Sequence, residues 1–198
     1  DVFKLKDFNN YRKQYDIKST DKVVVYVGRI EPPKRIDVLL EAFKIIISEN
    51  VNYKLLIIGD GVLRVEMEKK MNLLNLQDFV QFLGVRKRDE LSVYFNMADV
   101  SILLSDNEGS PLSVKESLAC GTPVIANDVG DIKSVVENGV NGYIINITNI
   151  DKVAEKIVWA ATNSRELQEA CVQSIQNYTI SKVSQKIIEI YNTLDNEQ

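Results

Sequence analysis

The segment 100–127 constrains the fold most, because an apolar strand, a tight loop, a helix and a second apolar strand follow one another without slack. Val100-Ser101-Ile102-Leu103-Leu104 reads as a buried strand. After it, Ser110 is the natural N-cap of a helix, and Pro111, with its fixed φ and no N–H, suits the first helical position. The helix runs to about Cys120, where Gly121-Thr122-Pro123 stops it. Val124-Ile125-Ala126 then forms the next strand. A chain that packs such units one after another is confined to a sheet covered by helices.

The same alternation extends through most of the sequence. Strands are expected at 22–27, 53–58, 79–83, 100–104, 124–126 and 143–145. Helices are expected at 36–48, 62–74 and 88–97, another opening near Ile132, and three more at 151–161, 164–177 and 181–194. Right-handed crossovers make this an α/β, Rossmann-like three-layer domain around a parallel sheet of about six strands. Residues 1–20 are polar and mixed, with Phe3, Phe8 and Tyr11 as scattered anchors; they read as an interdomain linker or an N-terminal arm. The domain proper is 21–180, and 181–198 form a C-terminal helix and tail.

Chemistry concentrates on the loops. A helix N-terminus presents unpaired N–H groups and about half a positive charge, a ready phosphate site. Gly109, with no Cβ, lets a ligand approach the backbone. Glu116, about one and a half turns into the helix, could accept hydrogen bonds from ribose hydroxyls, and Glu108 lies on the other side of the phosphate position. Equally, a Glu early in a helix is often a dipole partner and a loop Glu is often solvated. Gly28 frees the loop after the first strand, where Arg29 and Lys34 offer a planar fork and a point charge to a diphosphate. Gly59-Asp60-Gly61 lacks the third glycine of a dinucleotide fingerprint, since Arg64 stands in its place. The loop 127–130 follows a strand's carboxyl end, where open α/β sheets bind ligands.

Composition removes several classes. A formal charge of −4 and a pI near 5.1 argue against a nucleic-acid partner. No apolar run approaches the ~18 residues of a membrane span. The opening DVFKLKD has no apolar h-region, so no signal peptide is expected, and a start on Asp1 suggests an excised fragment. Without histidine there is no His-dependent triad and little basis for a zinc site. Cys120 and Cys171 read as reduced, partly buried thiols, and Trp159 as core.

A Glu, seven residues and a second Glu, followed by SLACGTPVIA, is similar to the signature of glycosyltransferase family 4. Those are retaining enzymes of GT-B fold that use nucleotide-activated sugars, so the chain resembles the C-terminal, donor-binding half of one. The likeness spans about 21–194 and is most specific at 28–34 and 108–126. It implies catalytic roles for Glu108, on the donor sugar, and for Arg29 and Lys34, on the pyrophosphate. It places Glu116 on the ribose, Val85 and Arg86 by the nucleobase, Gly28 and Gly59 along the donor cleft, and Gly109, Ser110, Pro111 and Leu112 around the donor at the helix start. The family often has an aromatic-Gly pair where Ser110-Pro111 stand here. The partners implied are a nucleotide-sugar donor and an N-terminal acceptor-binding domain of the same enzyme. No cofactor and no metal are implied. Any membrane association falls to the other half, with a cytoplasmic place or a peripheral one at the inner membrane face. A nucleotide-sugar epimerase of related fold and a non-catalytic partner module are the competing readings.

Overall fold

The structure is a computed structural model that describes residues 2–6 and 9–195; Phe8 and the tail 196–198 lie outside them. Six parallel strands form one sheet: β1 (Lys22–Val27), β2 (Tyr53–Ile58), β3 (Val80–Gly84), β4 (Val100–Leu103), β5 (Val124–Asn127) and β6 (Gly142–Ile145), in the order β3-β2-β1-β4-β5-β6. The helices are α1 (Ile36–Glu49), α2 (Arg64–Leu73), α3 (Arg88–Met97), α4 (Leu112–Ala119), α5 (Ile150–Ser174) and α6 (Ile180–Asp195). This is the expected three-layer α/β domain, and its strand order is that of the doubly wound Rossmann fold.

The near-continuous apolar character of β1 follows from burial on both faces. Val24 and Tyr26 pack with α1 and the first half of α5, while Val23 and Val25 pack on the other face with Tyr94 and Phe95 of α3. β1 and β2 stay in step from Lys22↔Tyr53 to Val27↔Ile58, so their loops leave the sheet at one level. Phe43 and Phe95, fully buried on opposite faces, anchor the two layers; truncating either to Ala would cost about 3–5 kcal/mol.

Three local expectations give way to the structure. The helices expected at 151–161 and 164–177 are one continuous α5. Thr162, Asn163 and Ser164 do not break it, because their side chains bond back to the carbonyls of Val158, Trp159 and Ala161. The helix expected near Ile132 is a single 3-10 turn, Ile132–Ser134. There Asn141 accepts from the Glu137 amide and donates to the Val135 carbonyl, taking groups that a continuing helix would need. Finally, Pro111 rather than Ser110 caps α4, in extended conformation with ψ 111°, and Leu112 is the first helical residue.

In the segment before β1, Arg12 bonds the Met97 carbonyl and pairs with Asp99 at 2.9 Å, Ile17 is buried, and Phe3 meets Phe95 edge-on at 6.2 Å. At the other end α6 leaves Ile180, Val183, Ile187, Ile190 and Tyr191 exposed. No helix among the described residues is long and apolar enough to cross a membrane.

Candidate functional site

The strand order reverses between β1 and β4, and in an open α/β sheet the crevice outside the carboxyl ends at that point is where ligands bind. The two loops that flank it are the one from Gly28 to Arg35 and the one from Leu104 to Pro111. They are joined in three places. The Asp106 amide donates to the Pro33 carbonyl at 2.8 Å, Arg35 reaches Asp106 at 3.3 Å, and Lys34 forms an ion pair with Glu108. Lys34 and Glu108 are only 14% and 16% exposed, so their charges are shielded from most solvent screening. Ser105, wholly buried just past β4, donates its hydroxyl to the same Glu108 Oε1 at 2.8 Å.

Arg29 stands apart from that cluster. Its guanidinium is 72% exposed and pairs with Glu31 at 2.9 Å, while the buried Tyr26 hydroxyl holds the Arg29 carbonyl at 2.7 Å. The backbone is therefore fixed and the side chain is at the surface. Burial pushes the Tyr26 hydroxyl pKa well above its ordinary value, with Glu108 and Glu31 adding to the rise and Arg29 opposing it.

Among the described residues no side chain caps the N-terminus of α4, which leaves its first N–H groups for another acceptor. Pro111 is buried and supplies no N–H, so of the residues expected around this turn only Gly109, Ser110 and Leu112 can donate from the backbone. Gly109 is exposed, and a Cβ there would meet nothing within 4 Å. Ser110 is tethered elsewhere: it donates to Asp131 at 3.0 Å and accepts from Lys115, which also pairs with Asp131 at 2.6 Å. Burial would raise the Asp131 pKa, but the bonds from Lys115 and Ser110 outweigh it and hold the carboxyl below its ordinary value. Gly130, at φ +57°, lets this loop close on the Gly109 carbonyl, which a Cβ would approach to 2.2 Å.

Glu116 lies on the side of α4 toward the β3 loop, where Arg88 reaches it at 3.5 Å. Its carboxylate is 14% exposed, and desolvation raises its pKa while Arg88 partly offsets the rise. The two carboxylates thus contact different elements, Glu108 the loop after β1 and Glu116 the first residue of α3, which follows the loop after β3. On that β3 loop, Val85 is exposed, and Arg86 folds back onto its neighbours, donating to the Tyr94 hydroxyl at 2.9 Å and to the Val85 carbonyl. Gly59 has a packing role: at φ +136° its Cβ position lies 1.8 Å from the Gly28 carbonyl oxygen, so only glycine lets the two loops touch.

Spacing along the chain does not reveal Arg88, Lys115 or Asp131 as members of this region, since each meets its partner through the fold. Ser105 leaves a trace, a hydroxyl at the end of an apolar run three residues before Glu108. A cavity of about 750 Å³ opens at the opposite, amino edge of the sheet, beside Arg12, Lys22, Asp99 and Arg165. Its chemistry does not favour it as the site, because Asp99 already pairs with both Arg12 and Lys22. Among the described residues no group of three His, Cys, Asp or Glu could hold a metal ion. Cys120 and Cys171 are buried free thiols, each pushed up to about 12 mainly by burial.

Residues 7–178 match the family described as glycosyl transferases group 1. The chain is 29% identical over 196 residues to N-acetyl-alpha-D-glucosaminyl L-malate synthase of Bacillus anthracis, covering 98% of this chain and 50% of that protein. It spans about half the length of that curated relative. Sucrose-phosphate synthase from Thermosynechococcus elongatus superposes with a TM-score of 0.85 at 25% identity, covering 100% of this chain and 51% of the other. A variant of S. aureus TarM, solved with fondaparinux, alpha-GlcNAc-glycerol and UDP, gives a TM-score of 0.76 at 26% identity over 87% of this chain and 36% of the other.

Proposed function

Since the chain belongs to the glycosyl transferases group 1 family, we propose that it is the donor-binding half of a retaining hexosyltransferase. It would hold a nucleoside-diphosphate sugar while an N-terminal domain, outside this chain, holds the acceptor. The observation that carries this reading is the Lys34–Glu108 pair at the strand-order reversal, next to an uncapped helix N-terminus. A cation and a row of free N–H groups there suit a diphosphate. The UDP-bound relative supports the same chemistry.

Transfer breaks the bond between the sugar's anomeric carbon and the β-phosphate oxygen while the acceptor hydroxyl oxygen bonds to that carbon, and the electron pair and the acceptor's proton end on the departing diphosphate. Lys34, Arg29 and the α4 N-terminus stabilise that growing charge. Protein cations then do the electrostatic work that a magnesium ion does in other transferases. The Arg29 guanidinium is exposed and, among the described residues, pairs with Glu31, so it can swing to the diphosphate when one arrives. Glu108 orients the transferred sugar, and Glu116, at the β3 loop, accepts from the ribose hydroxyls. Retention of anomeric configuration rests on the resemblance of the Glu108–Glu116 signature.

The test is calorimetric titration of UDP, GDP, ADP and their hexose conjugates, with Glu116→Ala and Arg29→Ala as controls. Selective binding of one diphosphate, weakened in both variants, is expected. Binding by none favours the non-catalytic module. The 198-residue chain alone should bind donor yet transfer poorly, and efficient transfer to an added acceptor would contradict the division of labour.

A further inference from the structure

Ser105 carries a hydroxyl in a place where a hydroxyl is costly. It is wholly buried two residues past β4, at the end of the run Val100-Ser101-Ile102-Leu103-Leu104, whose other members are apolar except the buried Ser101. A buried hydroxyl without a partner is penalised, so the position demands a specific acceptor. That acceptor is Glu108 Oε1, at 2.8 Å. Ser105 is itself fixed from the neighbouring strand, because Asn127 at the end of β5 donates its side-chain amide to the Ser105 carbonyl at 3.1 Å.

Glu108 Oε1 therefore receives two donors of different kinds, the Lys34 ammonium and the Ser105 hydroxyl, while Oε2 takes none among the described residues. Lys34 is a flexible point charge that an arriving diphosphate will share or withdraw. Ser105 cannot follow, since it is enclosed and held to β5 through Asn127. We infer that Ser105 is a positioning residue that keeps Glu108 Oε1 engaged during donor binding and so presents Oε2 to a hydroxyl of the transferred sugar. The inference rests on the donor-site reading above and adds to it the group that aims the sugar contact.

The experiment compares, by calorimetry on the full 198-residue chain, affinities for UDP, GDP and ADP with those for UDP-glucose, GDP-mannose and ADP-glucose. The informative quantity is the ratio of conjugate to diphosphate affinity. In Ser105→Ala the diphosphate affinity should stay within about twofold of the parent, because no phosphate contact is lost. The ratio should shift about tenfold, most of the way to its value in Glu108→Ala, and the double variant should shift it no further, since the two residues act as a unit. Ser105→Cys, close in volume and a weaker donor, should fall between parent and Ala; it also serves if Ser105→Ala fails to fold.

A merely structural serine would lower the melting temperature and leave the ratio unchanged. That result overturns the inference, as does a ratio that Glu108→Ala itself leaves unmoved. A parent chain that binds no diphosphate at all overturns the donor-site reading, and the inference with it.

Discussion

Lys34 and Glu108, 74 residues apart in sequence, close an ion pair across the point where the strand order reverses. Each comes from a loop at the carboxyl edge of the sheet, and each is mostly shielded from solvent. In the unliganded chain the carboxylate neutralises the ammonium. A diphosphate carries more negative charge than one carboxylate, so in the proposed donor-site role donor binding would compete with the Lys34–Glu108 bond.

That competition predicts an asymmetry between the partners. Lys34→Ala should weaken nucleoside-diphosphate binding at least tenfold, about 1.4 kcal/mol. Glu108→Gln should leave it unchanged or tighter, because Lys34 no longer has a carboxylate to leave. Each change should also lower stability, on the order of 1–3 kcal/mol for a pair between the exposed and buried limits. Titration calorimetry and chemical denaturation read the two effects separately.

Glu116 should show a conflict between binding and stability. Its folded pKa is raised above the ordinary 4.5, chiefly by burial, so the folded state holds its proton more tightly than the unfolded chain. Stability from this group is full below the unfolded pKa and is lost as pH rises through the folded value. At pH 7 the ionised carboxylate is therefore a burden on the fold, and Glu116→Gln should raise the melting temperature there but not at pH 3.5. The same variant should weaken nucleotide binding about tenfold, some 1.4 kcal/mol.

Asp131 should behave in the opposite sense. Its pKa is lowered from 3.8 despite burial, by bonds from Lys115 and Ser110. The stability it adds is present above the unfolded pKa and is lost as pH falls through the folded one. Asp131→Asn should thus destabilise the chain at pH 7, while the difference from the parent narrows below pH 3. Thermal melts across pH 2–7 for the two variants should diverge in sign.

Two glycines separate packing from ligand approach. Gly59→Ala forces a methyl against the Gly28 carbonyl at φ +136°. It should destabilise the chain by about 2–4 kcal/mol. Gly109→Ala meets only open space, so stability should stay within about 0.5 kcal/mol. If a phosphate approaches that backbone, diphosphate affinity will fall nonetheless.

The sheet is legible because β1, β2 and β4 are buried on both faces and read as nearly continuous apolar runs, interrupted by Lys54 in β2 and Ser101 in β4. The loops of the candidate site are legible for a related reason: Gly28, Gly59 and Gly109 stand at strand and helix ends, where backbone must turn or meet a partner. Thr162-Asn163-Ser164 mislead, since side chains that cap a helix in one setting bond back to its carbonyls in another. Arg88 against Glu116, and Lys115 against Asp131, are invisible for a different reason. Their partners lie on other elements, and local spacing says nothing about which loops a twisted sheet brings together.

The most direct test of the account is amide hydrogen exchange on the 198-residue chain with and without saturating UDP, GDP or ADP. The account predicts that one of them slows exchange in the loop 28–35 and in the turn and first helical residues 109–114, at the carboxyl edge beside Lys34 and Glu108, and that Lys34→Ala removes the effect. Protection confined to the amino edge, around Arg12 and Lys22, would place the ligand in the opposite cavity and contradict it.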